Sequence, residues 1–350
     1  MKRLLSLIAI FATLGALVFG AVLLNWKAPL AVPEAIFPAV TLENIFGNQK
    51  TNLATADPQK LVTILATGDA VPGRSVNYQT TQKNDFTWSW KEVAAVTKNA
   101  DLTYINFEVP LVSGCQVTNE GMNFCGDPRQ IQGLISGGVD VANLANNHAG
   151  DRGVAGIADT KKILEEGNVS ATGIGQILYK EVKGTKFAFL GFNDVTSVLN
   201  PAPATASTIV DLVKEAKIKA DVVIVGFHWG IEYTSQPTTR QRELAHKTID
   251  TGADLILGNH PHWIQPVEIY RGKVITYAHG NFIFDQMWSE KTKEGVIGKY
   301  TFSGKQLVDV TFTPIKIRDY GQTYFPNAAE SAQILSDLKA NSALLASQPL

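Results

Sequence analysis

The sequence predicts a layered α/β domain held outside a membrane on an N-terminal apolar segment, and three observations carry that reading. Apolar strand-like runs alternate with helical patterns for over two hundred residues from Leu61 onward, the pattern of sheets covered by helices. Most of those runs are bare Val, Ile, Leu and Phe, as in strands buried on both faces. The stretch Leu4–Leu24 is uncharged and follows Lys2 and Arg3. As a helix it would extend about 31 Å, close to the roughly 30 Å of a bilayer's hydrocarbon.

Composition sets the outer bounds. The 350 residues are 45% apolar and 18% charged, with a formal net charge of −1 from 31 basic and 32 acidic side chains. A folded globular chain is expected, without a basic field for nucleic acid, so nucleic acid is excluded as a partner. Leu4–Leu24 is longer than the apolar core of a cleaved signal, and its best small-x-small site, Val18 and Gly20 around Phe19, lies inside the run. An uncleaved single-pass anchor is therefore preferred to a cleaved, secreted form. Lys2 and Arg3 place the N-terminus inside and Trp26 suits the far interface, leaving the domain extracytoplasmic.

Residues 25–60 contain Pro29, Pro33, Pro38 and Pro58 with weak periodicity. They read as a linker with at most one short amphipathic turn. The domain is expected over 61–340 and a polar tail over 341–350. Strands are expected at Leu61–Thr67, Leu102–Asn106, Val139–Leu144, Lys186–Gly191, Val222–Phe227 and Leu255–Leu257. Helices are expected at Trp88–Lys98, Arg129–Ser136, Val154–Glu166, Thr208–Lys219 and Thr239–Thr251, with Gly167 and Gly252 as stops. After Gly252 the pattern changes to Val267–Tyr270, Val274–Ala278, Val296–Phe302 and Leu307–Ile317, joined by turns at Arg271-Gly272 and Ser303-Gly304. That implies one mixed sheet and a second, mainly antiparallel one.

Cys115 and Cys125 are the only cysteines. In an oxidising compartment a pair this close is expected to staple a loop as a disulfide. Unrelated thiols and a thiol metal site are the alternatives, and the lack of a nearby histidine does not suit a zinc finger.

The strand ends carry the chemistry. Ligands in open α/β sheets gather beyond the carboxyl ends of strands. Here those ends read Gly68-Asp69, Asn106-Phe107-Glu108, Asn146-Asn147-His148, His228-Trp229-Gly230 and Gly258-Asn259-His260-Pro261-His262. Each alone is a turn, a cap or a hydrogen-bonded histidine. Together they bring carboxylates, amides and imidazoles to one sheet edge, a donor set suited to Mn, Zn, Fe or Co. In an extended His260-Pro261-His262 both imidazoles would face one way. Two ions about 3.5–4 Å apart would clamp the oxygens of a phosphoester hydrolysis.

With Arg74, Glu232 and Gly280-Asn281-Phe282, these motifs resemble, in order from about Leu61 to Asp285, the bacterial capsule synthesis protein CapA family, also described as poly-gamma-glutamate biosynthesis proteins. That family is similar in fold to the calcineurin-like metallophosphoesterases. The resemblance implies a four-layer α/β/β/α sandwich and a site for one or two divalent ions. Asp69 and His262 would bind one ion and Asn147, His228 and His260 the other, with Glu108 bridging. His148 would protonate a leaving oxygen or orient the phosphoryl group, and Arg74 would offer a bidentate fork to an anionic group, or else form a loop ion pair. Val71 stands where metallophosphoesterases carry a second-position histidine, and Asn106-Phe107-Glu108 replaces their Gly-Asp. His279 is the candidate replacement ligand. The implied role is anionic-polymer synthesis beside membrane partners, with a metal-dependent hydrolase acting on a phosphoester or an amide-linked polymer. The alternative is a non-catalytic scaffold or polymer-binding component of an export complex.

Overall fold

The computed structural model describes residues 38–47, 56–119, 121, 124–197, 199–348 and 350. The apolar segment 4–24 lies outside them, and no helix among the described residues is long and apolar enough to cross a membrane. Two sheets organise the rest. The larger contains β1 (Val40–Thr41), β2 (Leu61–Ala70), β3 (Leu102–Phe107), β4 (Val141–Asn143), β5 (Ser170–Thr172), β12 (Asn281–Ile283), β13 (Glu294–Ser303), β14 (Gln306–Arg318) and β15 (Gln322–Tyr324). Its main path runs β1-β14-β13-β2-β3-β4-β5, with β12 beside β2 and β15 beside β14. The smaller runs β10-β11-β9-β8-β7-β6. Its strands are β6 (Leu178–Val182), β7 (Thr185–Asn193), β8 (Val222–His228), β9 (Leu255–Asn259), β10 (Ile264–Tyr270) and β11 (Lys273–His279).

Side-chain alternation divides the apolar residues into three layers. Along β7, β8 and β9, Phe187, Phe189, Ile224, Leu255 and Leu257 meet Ile64, Ala66, Tyr104 and Tyr300 of the larger sheet. Their neighbours Ala188, Leu190, Val223, Val225 and Ile256 turn the other way. There they pack on α5 (Ala206–Lys219) and α6 (Thr239–Thr251) through Ile209, Val213, Leu244 and Ile249. The outer face of the larger sheet is covered by Val76 of α2 (Arg74–Gln82), Leu134 of α3 (Ile131–Gly137) and Leu164 of α4 (Gly153–Glu166). The order of layers is helix, sheet, sheet, helix. Burying one such aliphatic or aromatic side chain contributes about 1.5–3 kcal/mol, so these layers dominate stability.

Local chemistry sets the boundaries. The Thr205 hydroxyl accepts from the Thr208 N–H at the start of α5, and a Thr238–Gln241 capping box opens α6. In the β10–β11 hairpin Arg271 and Gly272 have φ of 49° and 72°, a two-residue turn whose twist matches the strands. Cys115 and Cys125 are disulfide-bonded, with Cα atoms 5.8 Å apart.

Several expectations change. Both sheets are mixed, so no second, mainly antiparallel sheet forms among the described residues. The β13–β14 hairpin docks antiparallel on β2 of the larger sheet. The β10–β11 hairpin instead joins the smaller, where β11 runs parallel to β9. A turn signal pairs neighbouring strands and says nothing about which distant edge the hairpin joins. Within the stretch read as linker, β1 pairs with β14, and Thr41 caps α1 (Leu42–Phe46). The closing helix α7 (Ala328–Ala346) runs into the stretch read as tail. The helix expected over Trp88–Lys98 is interrupted, with a tight turn at Trp88–Trp90 and one α-turn at Ala94–Thr97. Helix α2 was not foreseen, because its polar sequence shows no apolar period.

Between the sheets, a Cβ placed on Gly226 would lie 1.9 Å from the Tyr104 hydroxyl oxygen. That hydroxyl is buried without a hydrogen-bond partner among the described residues. Gly226→Ala is expected to destabilise the domain by about 1–3 kcal/mol through overpacking. Tyr104→Phe alone is expected to be close to neutral, and in the double mutant to recover most of the loss. Urea unfolding of the four-member cycle measures this, and additive losses would contradict it.

Candidate metal centre

The two sheets present their strand carboxyl ends to the same seam. From the larger come Asp69 at the end of β2, Asn106 and Glu108 at the end of β3, and Asn147 and His148 beyond β4. From the smaller come His228, ending β8, and His260 and His262, just past β9. Sequence reasoning placed these groups along one sheet edge. They belong to two facing edges, which surround a site from opposite sides.

Asp69 is fully buried at the centre. Its Oδ1 accepts from Asn106 Nδ2 at 2.7 Å. Its Oδ2 accepts from the His260 backbone N–H at 3.2 Å and lies 3.1 Å from His262 Nδ1. Burial works against its charge, but His262, His228 and Asn106 together hold the carboxyl below its ordinary range. His262 is the counterpart. Burial opposes its charge too, yet Asp69 raises its imidazole to about 9.

A second group surrounds His228 Nε2. Asn147 Oδ1 lies 2.6 Å from it, His260 Nδ1 3.1 Å and Glu108 Oε1 3.3 Å. Burial pushes His228 down to about 3 and His260 well below its ordinary value, so both rings are neutral. Burial, reinforced by Asp69, pushes Glu108 up to about 8. A neutral imidazole carries one ring proton, which can serve one of those three neighbours. A divalent cation would satisfy all of them at once. The distances agree with the donor chemistry. Asp69, Glu108 and His228 offer ligand atoms within 4.8 Å of one another, as do Glu108, His260 and His262. Glu108 is common to both triads, as a bridging carboxylate must be. Asn259, fully buried at the end of β9, has neither amide atom paired among the described residues. A buried amide costs about 1–3 kcal/mol unless something satisfies it. The oxygen and nitrogen donors therefore fit one or two divalent ions of the Mn, Zn, Fe or Co type.

The backbone here is strained. His260 and His262 have φ of 99° and 56°. Left-handed conformations of non-glycine residues cost roughly 1–3 kcal/mol each. Both imidazoles do reach one cluster, with ring centroids 5.8 Å apart. The His-Pro-His segment manages this as a tight turn, not by the strand alternation expected from its sequence.

The remaining candidates separate. His148 sits at the rim, its Nδ1 2.8 Å from Asp151 Oδ2 and its ring against Phe124, centroids 3.7 Å apart and planes tilted by 31°. Arg74 is ion-paired with Asp285 and lies over the Phe124 and Phe284 rings at 4.8 and 5.3 Å. This matches the loop ion-pair alternative. His279 is not placed to replace the missing histidine. Its Nδ1 lies 3.1 Å from the Gly258 carbonyl and its Nε2 3.0 Å from the Tyr300 hydroxyl, so both nitrogens are committed. Val71 is buried in the layer between the larger sheet and its helices. Phe107, Trp229 and Phe282 are core.

Two residues were underrated. Asn106 Nδ2, besides bonding Asp69, lies 3.3 Å from His228 Nδ1 and 3.4 Å from Glu108 Oε2. Asn281, registered opposite Asp69, places Oδ1 2.9 Å from His262 Nδ1. Both follow apolar runs, the signal already used for the ligands, but an amide after a strand is too common to single out.

The fold and this seam define a layered α/β protein whose facing sheet edges form a buried carboxylate–imidazole cluster. Over residues 63–286 the sequence matches the bacterial capsule synthesis protein PGA_cap family, and the chain belongs to that family. It is 33% identical over 270 residues to the PGA biosynthesis protein CapA of Bacillus subtilis (strain 168), covering 72% of this chain and 70% of that one. It is 31% identical over 283 residues to the capsule biosynthesis protein CapA of Bacillus anthracis, covering 74% and 68%. Among solved structures, TT1561 of Thermus thermophilus is similar over 74% of this chain and all of its own, at 12% identity and a TM-score of 0.41.

Asn106→Ala removes the amide that orients Asp69 and His228. It is expected to weaken divalent-metal affinity about 10–100-fold while leaving the far-UV circular dichroism unchanged. Metal titration followed by calorimetry checks this, and unchanged affinity would remove Asn106 from the site.

Proposed function

We propose that this chain is a membrane-anchored, extracytoplasmic protein of capsule or poly-gamma-glutamate synthesis with a divalent-metal site of the hydrolase type, on a metallophosphoesterase-like sandwich. The family and its relatives support the role in polymer synthesis. The observation that carries the metal reading is the sharing of Glu108 between two triads of buried ligand atoms. Asp69, Glu108, Asn147, His228, His260 and His262 would hold the metal, with Glu108 shared; the triads group Asp69 with His228 and His260 with His262, where the resemblance implies Asp69 with His262 and His228 with His260. Bound ions would supply Lewis-acid polarisation and an activated water.

The chain's own groups do the rest. Asn106 and Asn281 orient Asp69 and His262. The Asp151 carboxylate accepts the Nδ1–H of His148; the doubly protonated ring would give its Nε2 proton to a leaving oxygen or nitrogen and be left neutral, with its remaining proton on Nδ1. Arg74, neutralised by Asp285, shapes the rim; an anionic substrate group that displaced Asp285 would gain the guanidinium fork. The anionic polymer, or a phosphoester unit, is the substrate, and membrane partners of a synthesis complex lie alongside through the segment 4–24.

A second reading, a non-catalytic polymer-binding component, is favoured by Val71. It puts an apolar side chain into the core where the resemblance leads one to expect an imidazole ligand.

Elemental mass spectrometry of the detergent-solubilised protein tests the first reading. Close to two equivalents of divalent metal are expected, lost in an Asp69→Ala, His260→Ala double mutant. No metal after loading with Mn, Zn or Fe would overturn it. His148→Ala is expected to keep its metal and lose about 10²–10⁴ in turnover of a γ-glutamyl or phosphoester substrate. Undiminished turnover would remove His148 from catalysis, and no turnover by the metal-loaded wild type would favour the binding component. Retention of the full chain, and release of one lacking residues 1–24, on alkaline washing of membranes tests the anchor.

A further inference from the structure

Beside the cluster stands a further strained residue that the metal does not explain. Tyr233 has φ 61°, an outlier for a bulky aromatic side chain. Its backbone N–H donates to the Pro261 carbonyl at 2.8 Å, and its hydroxyl accepts from Gln286 Nε2 at 3.2 Å. Gln286 Oε1 in turn accepts from Asn281 Nδ2 at 3.2 Å, and Asn281 Oδ1 faces His262. A continuous hydrogen-bonded path thus links the cluster to the Tyr233 ring. Burial, then the neighbouring Glu232 carboxylate, push the phenol up, so it stays neutral.

That ring is the corner of an aromatic wall. Its centroid lies 6.3 Å from His262, 6.5 Å from Trp263 and 6.0 Å from Trp288, the last nearly perpendicular at 81°. Trp288 is 62% exposed, the only exposed tryptophan among the described residues, and Ile231 is 58% exposed. Leaving a tryptophan in water forgoes a large apolar contribution. Strain and exposure together, next to a ligand histidine, mark a surface shaped for a ligand, not for the core. The positive charge on this wall comes from Lys291, whose Nζ lies 5.7 Å from the Trp263 ring centroid. Its side chain is 44% exposed, and its pairing with Asp337 is loose at 3.5 Å.

We propose that Tyr233, Trp288, Trp263 and Lys291 form a substrate subsite that holds the unit of a γ-glutamyl chain adjoining the metal cluster. Amide planes and methylenes stack on the rings, and the unit's carboxylate meets Lys291. This rests on the polymer reading above and adds to it where the chain lies.

The test is calorimetric titration of the full, metal-loaded protein with a synthetic oligo-γ-glutamate, beside a neutral cello-oligosaccharide. Trp288→Ala is expected to weaken oligo-γ-glutamate binding about tenfold, with metal content unchanged. Tyr233→Gly suits the left-handed backbone, so it is expected to weaken binding without lowering the unfolding temperature, which a purely structural tyrosine would not do. Wild-type affinity in both variants would overturn the subsite and leave the polymer reading intact. Tighter binding of the oligosaccharide would overturn the γ-glutamyl assignment. No oligo-γ-glutamate binding by the wild type would overturn both the subsite and the polymer reading.

Discussion

The buried carboxylate of Asp69 is the constraint around which the seam is arranged. A charge taken out of water is costly unless paired and hydrogen-bonded, and Asp69 is both. Asn106, the His260 backbone N–H and His262 each face one of its oxygens. Those partners come from both sheets, so the carboxylate also fastens one sheet edge to the other. The apolar layer between the sheets brings the edges together, and Asp69 determines how the edges meet.

The same pairing explains the division of labour among the titratable groups. Asp69 favours the protonated form of His262, a proton that a bound cation would displace, while His228 and His260, buried with less compensation, stay neutral and keep lone pairs to donate. Glu108, pushed up by burial and by Asp69, is the group whose ionisation a cation would favour most. The strained turns at His260, His262 and Tyr233 belong to this picture. Strain of this kind persists only where the surroundings over-determine the backbone. Here those surroundings are the two sheets and the Asn281–Gln286–Tyr233 path. At the rim, Arg152 donates to the Cys125 sulfur at 3.2 Å, and the disulfide carries Phe124 onto His148.

How much was legible follows from the range of each signal. Strands such as β8, expected at Val222–Phe227, were visible because a bare apolar run is a local statement about burial, and α6 because its Gly252 stop is local too. Asp69, Glu108, Asn147, His228, His260 and His262 were visible because strand ends are where α/β proteins place ligands. Asn281 stood only within the Gly280-Asn281-Phe282 motif, without a role, since its value lies in facing His262 across 19 residues of chain. His279 misled for the opposite reason. It follows an apolar run like the others, but its strand turns both nitrogens to Gly258 and Tyr300. Tyr233 gave no signal, because nothing in its neighbours requires a left-handed backbone.

The sequence by itself determined the layered α/β class, the family, the close pair of cysteines and the set of groups able to bind a divalent ion, all of which depend on residue type and short-range order. The tertiary structure alone decided that the two hairpins go to different sheets, that the candidate ligands face each other across a seam, and that the His-Pro-His segment turns. Those outcomes depend on which distant edges satisfy their hydrogen bonds and apolar faces together, a balance that no local stretch of chain contains.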